Sequence, residues 1–188
     1  MTRKHDKVIV TLAIGDQYLR PWKETCEPNW RQYADRHGFD LVCFAEPLDT
    51  SERARKRSPS WQKCLILGQE SVRDYDRVVW IDADILINNL GAPSVIDSVP
   101  IEKVGAVQMY VHPTPAMHVA LLGRMYEYWR SNAIVNLTAE EYYTARGMPH
   151  GVKEALYNAV MVLSPKWHRE ALEKIYYEIR SQRGQELA

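Results

Sequence analysis

Short apolar runs alternate along this chain with stretches in which apolar residues recur every three or four positions. The run KVIVTLAIG (Lys7–Gly15) is brief and β-branched, and Gly15 and Asp16 close it, so it predicts a buried strand. Pro21 then stands near a helix start. Trp22, Cys26, Trp30 and Tyr33 follow at helical spacing, and Arg36 to Gly38 form a basic last turn with a capping glycine. FDLVCF (Phe39–Phe44) is a second strand. A β-α-β opening of this kind favours a parallel sheet with a right-handed crossover.

Leu48 to Ser60 has no period and predicts a flexible loop, made basic by Arg53, Arg55, Lys56 and Arg57. It reads either as a solvated loop or as a contact for an anionic partner, phosphate or lipid headgroup. Ser60 can cap the next helix, whose inner stripe is Trp61, Cys64, Leu65, Gly68 and Val72. A strand is predicted over Arg77–Ile87, followed by the turn residues NNLGAP and by the strand VGAVQMY. Met117 to Arg130 predicts a helix with Met117, Leu121, Met125 and Tyr128 in one stripe, and Thr138 to Glu141 reads as a capping box. LYNAVMVL (Leu156–Leu163) is a further strand. Ser164-Pro165 then opens a last helix with Ala171, Leu172, Ile175, Tyr176 and Ile179 inward. The pattern is α/β, with a mostly parallel central sheet flanked by helices. No repeat or second domain is apparent, so residues 1–188 read as a single domain.

Composition narrows the function. At 188 residues the chain can bury a real core. Its 24 basic and 24 acidic residues balance to zero, which argues against a general nucleic-acid surface. Cys26, Cys43 and Cys64 are widely spaced and form no C-x-x-C, so they read as free thiols in a reducing compartment. No apolar run reaches the length of a membrane helix, and the N-terminus does not read as a signal peptide. A cytoplasmic protein is expected, with peripheral membrane contact left open and oligomeric state unread.

Against this background VVWIDADILI (Val78–Ile87) stands out, because it places two charges in an apolar run. If the strand continues, alternation puts Trp80, Asp82, Asp84 and Leu86 on one face, with the two aspartates about 7 Å apart at Cα. Like charges held together on a buried strand raise each other's pKa or demand a cation, and carboxylate oxygens suit Mg²⁺ or Mn²⁺. If instead the strand ends near Ala83, the pair lies solvated in a loop. A third chemistry, a phosphohydrolase with Asp82 as nucleophile, fits poorly: its motif continues Gly-Thr, where this chain has Ile85-Leu86.

Taken together, TLAIGDQYLRPW, WQKCLIL followed by YDRVVWIDADILI, and YNAVMVLSP resemble the GT-A fold glycosyltransferases. The likeness is greatest to the glycogenin-like family 8 and to the galactosyl/mannosyl transferases of family 34, and it runs from about Lys7 to Tyr177. The resemblance implies a Rossmann-like domain that binds a nucleotide-diphosphate sugar, usually a UDP-sugar, with Mn²⁺ or Mg²⁺. It implies that Leu12 and Ile14 line the nucleotide pocket, with Tyr18 stacking on the base. Lys63 would approach the donor phosphates or sugar. Asp82 would contact metal and ribose, Asp84 would be the firmer metal ligand, and Asn158 would face the sugar. Transfer to an acceptor hydroxyl would retain configuration. Glu140, Glu141 and Glu154 are the nearest carboxylates in sequence, and none is singled out as a catalytic base.

Two departures qualify the resemblance. Val160 stands where the family has glycine after Ala159, and a C-terminal segment with a metal-binding histidine is not found before Ala188. His112, His150 and His168 are candidate replacement ligands, although each also reads as an ordinary surface or loop histidine, His168 facing solvent. A nucleotide-sugar-binding module with impaired catalysis is therefore a competing expectation. Sugar, base and acceptor are not legible.

Overall fold

The computed structural model describes residues 4–108, 114–133, 139–144, 150–151 and 156–178. The chain divides into two compact units, one from Met1–Gly105 with Ala159–Arg183, the other from Ala106–Asn158 with Gly184–Ala188. A five-stranded sheet has the order β2-β1-β3-β5-β4, with β1 Lys7–Leu12, β2 Asp40–Phe44, β3 Arg77–Ile81, β4 Gly105–Gln108 and β5 Leu156–Leu163. The pairs β1–β2 and β1–β3 are parallel, whereas β5 runs antiparallel to β3. The α/β expectation holds, with β5 set antiparallel to β3.

Alternation along β1 and β3 sends side chains to opposite faces. Val8, Val10, Val78 and Trp80 pack with Ile66, Leu67 and Leu163 on one face. Ile9, Val79 and Ile81 pack with Trp22, Trp30 and Tyr33 on the other. The second face is covered by a continuous helical stretch of α1 (Asp16–Pro21), a π turn (Trp22–Cys26) and α2 (Glu27–His37). Pro21 thus ends α1 instead of starting the helix, while the predicted stripe Trp22, Cys26, Trp30 and Tyr33 is buried as expected. Gly38 closes α2 at φ 68°, a left-handed conformation that glycine adopts without a Cβ penalty.

The first face is covered by a 3-10 helix (Pro59–Gly68) and by α6 (Pro165–Glu178). Ser58, not Ser60, caps the 3-10 helix, and its tighter winding buries Gln62, Lys63, Leu65, Ile66 and Leu67; of the α-helical stripe expected there, Leu65 and Val72 are buried and Trp61, Cys64 and Gly68 only half-buried. The preceding segment, read from sequence as a loop, carries the short helix α3 (Glu52–Arg55), capped by Ser51. Its last arginine, Arg57, is buried: it stacks on Trp61 and Tyr176 and donates to the Tyr176 carbonyl. Gln62 ties this segment down, accepting from the Leu48 and Asp49 N–H groups. In α6, Pro165, His168 and Tyr176 are buried, whereas Ala171 and Ile175 are exposed.

In the second unit, α4 (Pro115–Ser131) starts at Thr114, whose hydroxyl accepts from Met117 N–H at 3.2 Å. Met117, Leu121 and Tyr128 of its predicted inner stripe are exposed and Met125 is half-buried. Helix α5 spans Ala139–Thr144, and the Glu140 carboxylate accepts from Gly151 N–H at 3.1 Å. Thr138, the cap of the predicted box, and Ile179 lie outside the described residues. No described helix is long and apolar enough to cross a membrane.

Candidate functional site

Strands β1 and β3 are parallel neighbours, so their carboxyl ends share one edge of the sheet. The crossover from β1 to β2 uses α2 on one face, and the connection from β2 to β3 uses the 3-10 helix on the other. The chain therefore changes direction beside β1, and open α/β sheets bind ligands at such a switch point. A cleft of about 720 Å³ lies at this edge. Its walls come from the segment after β1 (Leu12, Ile14, Tyr18), from the π turn (Thr25, Cys26), from the 3-10 helix start (Ser58, Ser60, Lys63) and from the end of β3 (Trp80, Asp82, Asp84). Gly15 makes the bend into the cleft at φ 86° and ψ 154°, a region almost closed to other residues. Tyr18 stands at the rim, 59% exposed.

The strand carrying the aspartates is shorter than alternation suggested. β3 ends at Ile81, and Ile85 N–H donates to the Asp82 carbonyl at 3.2 Å, so the chain turns through Ala83 and Asp84. Asp82 stays on the Trp80 side, half-buried, while Asp84 is carried out into solvent. The two carboxylates thus reach the cleft from a turn, not from one strand face. Asp82 N–H also donates to the Ala159 carbonyl at 2.8 Å, which fixes the turn against β5.

Beyond the turn, residues 85–95 run along α2 as a strap held by side chains. Trp30 Nε1 donates to the Ile85 carbonyl at 2.8 Å, and Asn29 exchanges two bonds with the Ile87 backbone. Tyr33 donates to the Pro93 carbonyl and accepts from Val95 N–H, each at 2.8 Å. Ala83, Ile85 and Ile87 turn inward onto this core. Sequence reading did not assign Asn29 or Trp30 any part in the site. Their signal was only a polar and an aromatic residue next to each other on the inner side of a helix.

Asp82 is not free on its inner side. Trp80 Nε1 donates to Oδ1 at 2.6 Å, and the Lys63 ammonium lies 3.1 Å from the same oxygen. Lys63 lines the cleft, with a side chain only 10% exposed. Among the described residues, Asp82 and Asp84 are the carboxylates of the cleft that could hold a cation. Two hard carboxylates suit Mg²⁺ or Mn²⁺, which commonly keep waters and take substrate phosphates as further ligands. Among the described residues no group of three His, Cys, Asp or Glu side chains converges to hold a metal.

His168 departs from expectation. It is 7% exposed, and its Nδ1 accepts from Ser164 N–H at 2.8 Å, so it closes the first turn of α6 instead of facing solvent. His150 is exposed, and His112 and Glu154 lie outside the described residues. Asn158 lies on β5, but its side chain falls outside what the structure describes. Burial pushes the thiols of Cys26, Cys43 and Cys64 up, Cys43 to about 11, so none is an activated nucleophile.

No family model and no curated protein matches the chain. Among solved structures it is similar to a glycosyltransferase involved in the glycosylation of the major capsid of PBCV-1. Identity is 16%, the TM-score is 0.47, and the match covers 90% of this chain and 65% of that one. The chain thus spans just under two thirds of that structure's length.

Proposed function

We propose that the cleft binds a nucleotide-diphosphate sugar, of which a UDP-sugar is the first to test, together with Mn²⁺ or Mg²⁺, and that the protein transfers the sugar to an acceptor hydroxyl with retention. One observation carries the reading. Leu12, Ile14, Tyr18, Lys63, Asp82 and Asp84, drawn from three separate stretches of the sequence, line one cavity at the switch point of the sheet.

Each wall has work that suits such a ligand. Tyr18, exposed at the rim, offers a face on which a base can stack. Leu12 and Ile14 supply the apolar side of a nucleoside pocket. Lys63 places a cation against the cleft, where a diphosphate leaving group would gather charge. Asp82 Oδ2 and Asp84 would hold the metal, which when bound supplies Lewis-acid stabilisation of the departing diphosphate. The buried Trp80 indole N–H holds Asp82 Oδ1 and so orients the carboxylate beforehand.

Thermal-shift measurements with nucleotides and nucleotide sugars test the reading, since a ligand of the folded state raises its stability with affinity. UDP or a UDP-sugar should raise Tm in the presence of Mn²⁺, and Asp84→Ala should lose that rise. A wild type that responds to no nucleotide with metal present would overturn the assignment. A donor-hydrolysis assay on the same samples separates transferase from binding module: binding without turnover identifies the latter.

A further inference from the structure

Lys63, Asp82 and Trp80 form a closed unit within the cleft wall. Two donors share Asp82 Oδ1: the Trp80 indole N–H at 2.6 Å and the Lys63 ammonium at 3.1 Å. The same ammonium lies 5.1 Å from the centroid of the Trp80 ring, within cation–π range. Trp80 is 3% exposed, and the side chains of Lys63 and Asp82 are 10% and 32% exposed. A pair this sheltered is weakly screened by salt, unlike a surface ion pair.

The consequence lies in the charge that an arriving ion meets. Without Lys63, the turn offers two carboxylates. With it, one carboxylate already has a counter-cation, and a divalent ion on Oδ2 must sit beside an ammonium bound to the other oxygen of the same group. Like charges at that range repel strongly in a partly desolvated site. A diphosphate reverses the balance, because Lys63 lines the same cleft and can exchange the carboxylate for phosphate oxygens.

We infer that Lys63 is the resident counter-cation of Asp82 and holds back divalent-metal binding until a diphosphate ligand draws it away. The inference rests on the reading of the cleft as a nucleoside-diphosphate site. It makes Lys63 a positioning residue for the metal as well as a contact for the anion.

Calorimetric titration with Mn²⁺ alone, and with Mn²⁺ at saturating UDP, tests it on three proteins. Lys63→Gln keeps an N–H donor for Asp82 and removes the charge, whereas Lys63→Arg keeps the charge. Lys63→Gln should bind Mn²⁺ alone about tenfold more tightly than wild type, a usual size for coupling between sites. Lys63→Arg should stay near wild type, and the gain in Mn²⁺ affinity conferred by UDP should be smaller in Lys63→Gln than in wild type. Circular dichroism checks folding, and Lys63→Met, which keeps the stem against Trp80, takes the place of a glutamine variant that does not fold. Unchanged or weaker Mn²⁺ binding by the neutral variant overturns the inference, as does an arginine variant that gains as much as the neutral one. If wild type binds Mn²⁺ with UDP and the variants fail this pattern, only the inference falls. If wild type binds no Mn²⁺ even with UDP, the proposed function falls and the inference with it.

Discussion

The two faces of the sheet hold the two aspartates by different physics. Beside the aspartates the α2-face core is apolar and aromatic, with Trp22 set edge-on to Trp30 at 6.0 Å, and it grips the strap after Asp84 through side chain-to-backbone bonds, while the buried cation of this face, Arg77, lies at the opposite end of β3. On the 3-10 helix face the core admits cations: Lys63 against Asp82 and Trp80, and Arg57 between Trp61 and Tyr176. Asp84 is therefore placed through its backbone and left solvated, while Asp82 is placed through its side chain and half-buried. Residues two apart in sequence can thus differ in what their removal costs.

The largest expected effect comes from breaking the α2 face. Trp30→Ala should cost about 3–5 kcal/mol in chemical denaturation, the range for a fully buried aromatic truncated in a core. It should also weaken the nucleotide-dependent rise in Tm, because the turn loses its anchor at Ile85. A small cost with an intact rise would mean that the strap holds itself.

Asp82→Ala and Asp84→Ala compare the aspartates directly. Removing Asp82 takes the acceptor from a buried indole N–H and an ion-pair partner from Lys63, at about 1–3 kcal/mol. Removing Asp84, an exposed turn residue, should stay within about 0.5 kcal/mol while abolishing the Mn²⁺-dependent shift. Equal stability costs would erase the distinction between the two.

A smaller effect is expected at the far end of the 3-10 helix face, where the Tyr176 hydroxyl donates to Asp49 at 2.6 Å. That bond, opposed by burial and helped by the Ser51 donors, holds the Asp49 carboxyl below its ordinary range. A depressed carboxylate stabilises the fold above the ordinary carboxylate range, and that contribution is lost as pH falls through its lowered pKa. Tyr176→Phe should cost about 1 kcal/mol at neutral pH and flatten the loss of stability on acidification. An unchanged acid limb would show that Asp49 is held by Ser51 alone.

The gentlest probe uses the thiols. Cys26 belongs to the α2-side core and Cys64 lies on the 3-10 helix, both with thiols raised by burial. At pH 8 both should react slowly with a disulfide reagent and become reactive at the same denaturant concentration if the faces unfold together. Separate onsets would mean that the faces are independent cooperative units.

Much of the frame was legible because it depends on local pattern. Short apolar runs flanked by Gly15 and by Gly38 marked β1 and β2, and the spacing of Trp22, Cys26, Trp30 and Tyr33 marked the buried side of the helical stretch. The inward side of Ala83, Ile85 and Ile87 also followed from alternation, although their strand did not persist. The errors share a cause. Whether β3 stops at Ile81, whether residues 59–68 wind as a 3-10 or an α helix, and whether His168 and Arg57 are buried all depend on distant partners. Ala159 and Trp30 capture the backbone around Asp82 and Ile85, and Tyr176 captures Arg57 across more than a hundred residues.

The sequence alone determined that two carboxylates interrupt an apolar run near a sheet edge, together with a lysine, a tyrosine and two aliphatic residues assigned to the same pocket. Periodicity and residue chemistry suffice for the carboxylates, whereas the other four residues were placed by the family resemblance alone. Only the tertiary structure decided that these residues share one cleft, that Asp82 meets Lys63 and Trp80, and that Asp84 faces water. Those outcomes depend on which crossover lies over which face of the sheet and on which donors reach one oxygen, and a linear pattern carries neither.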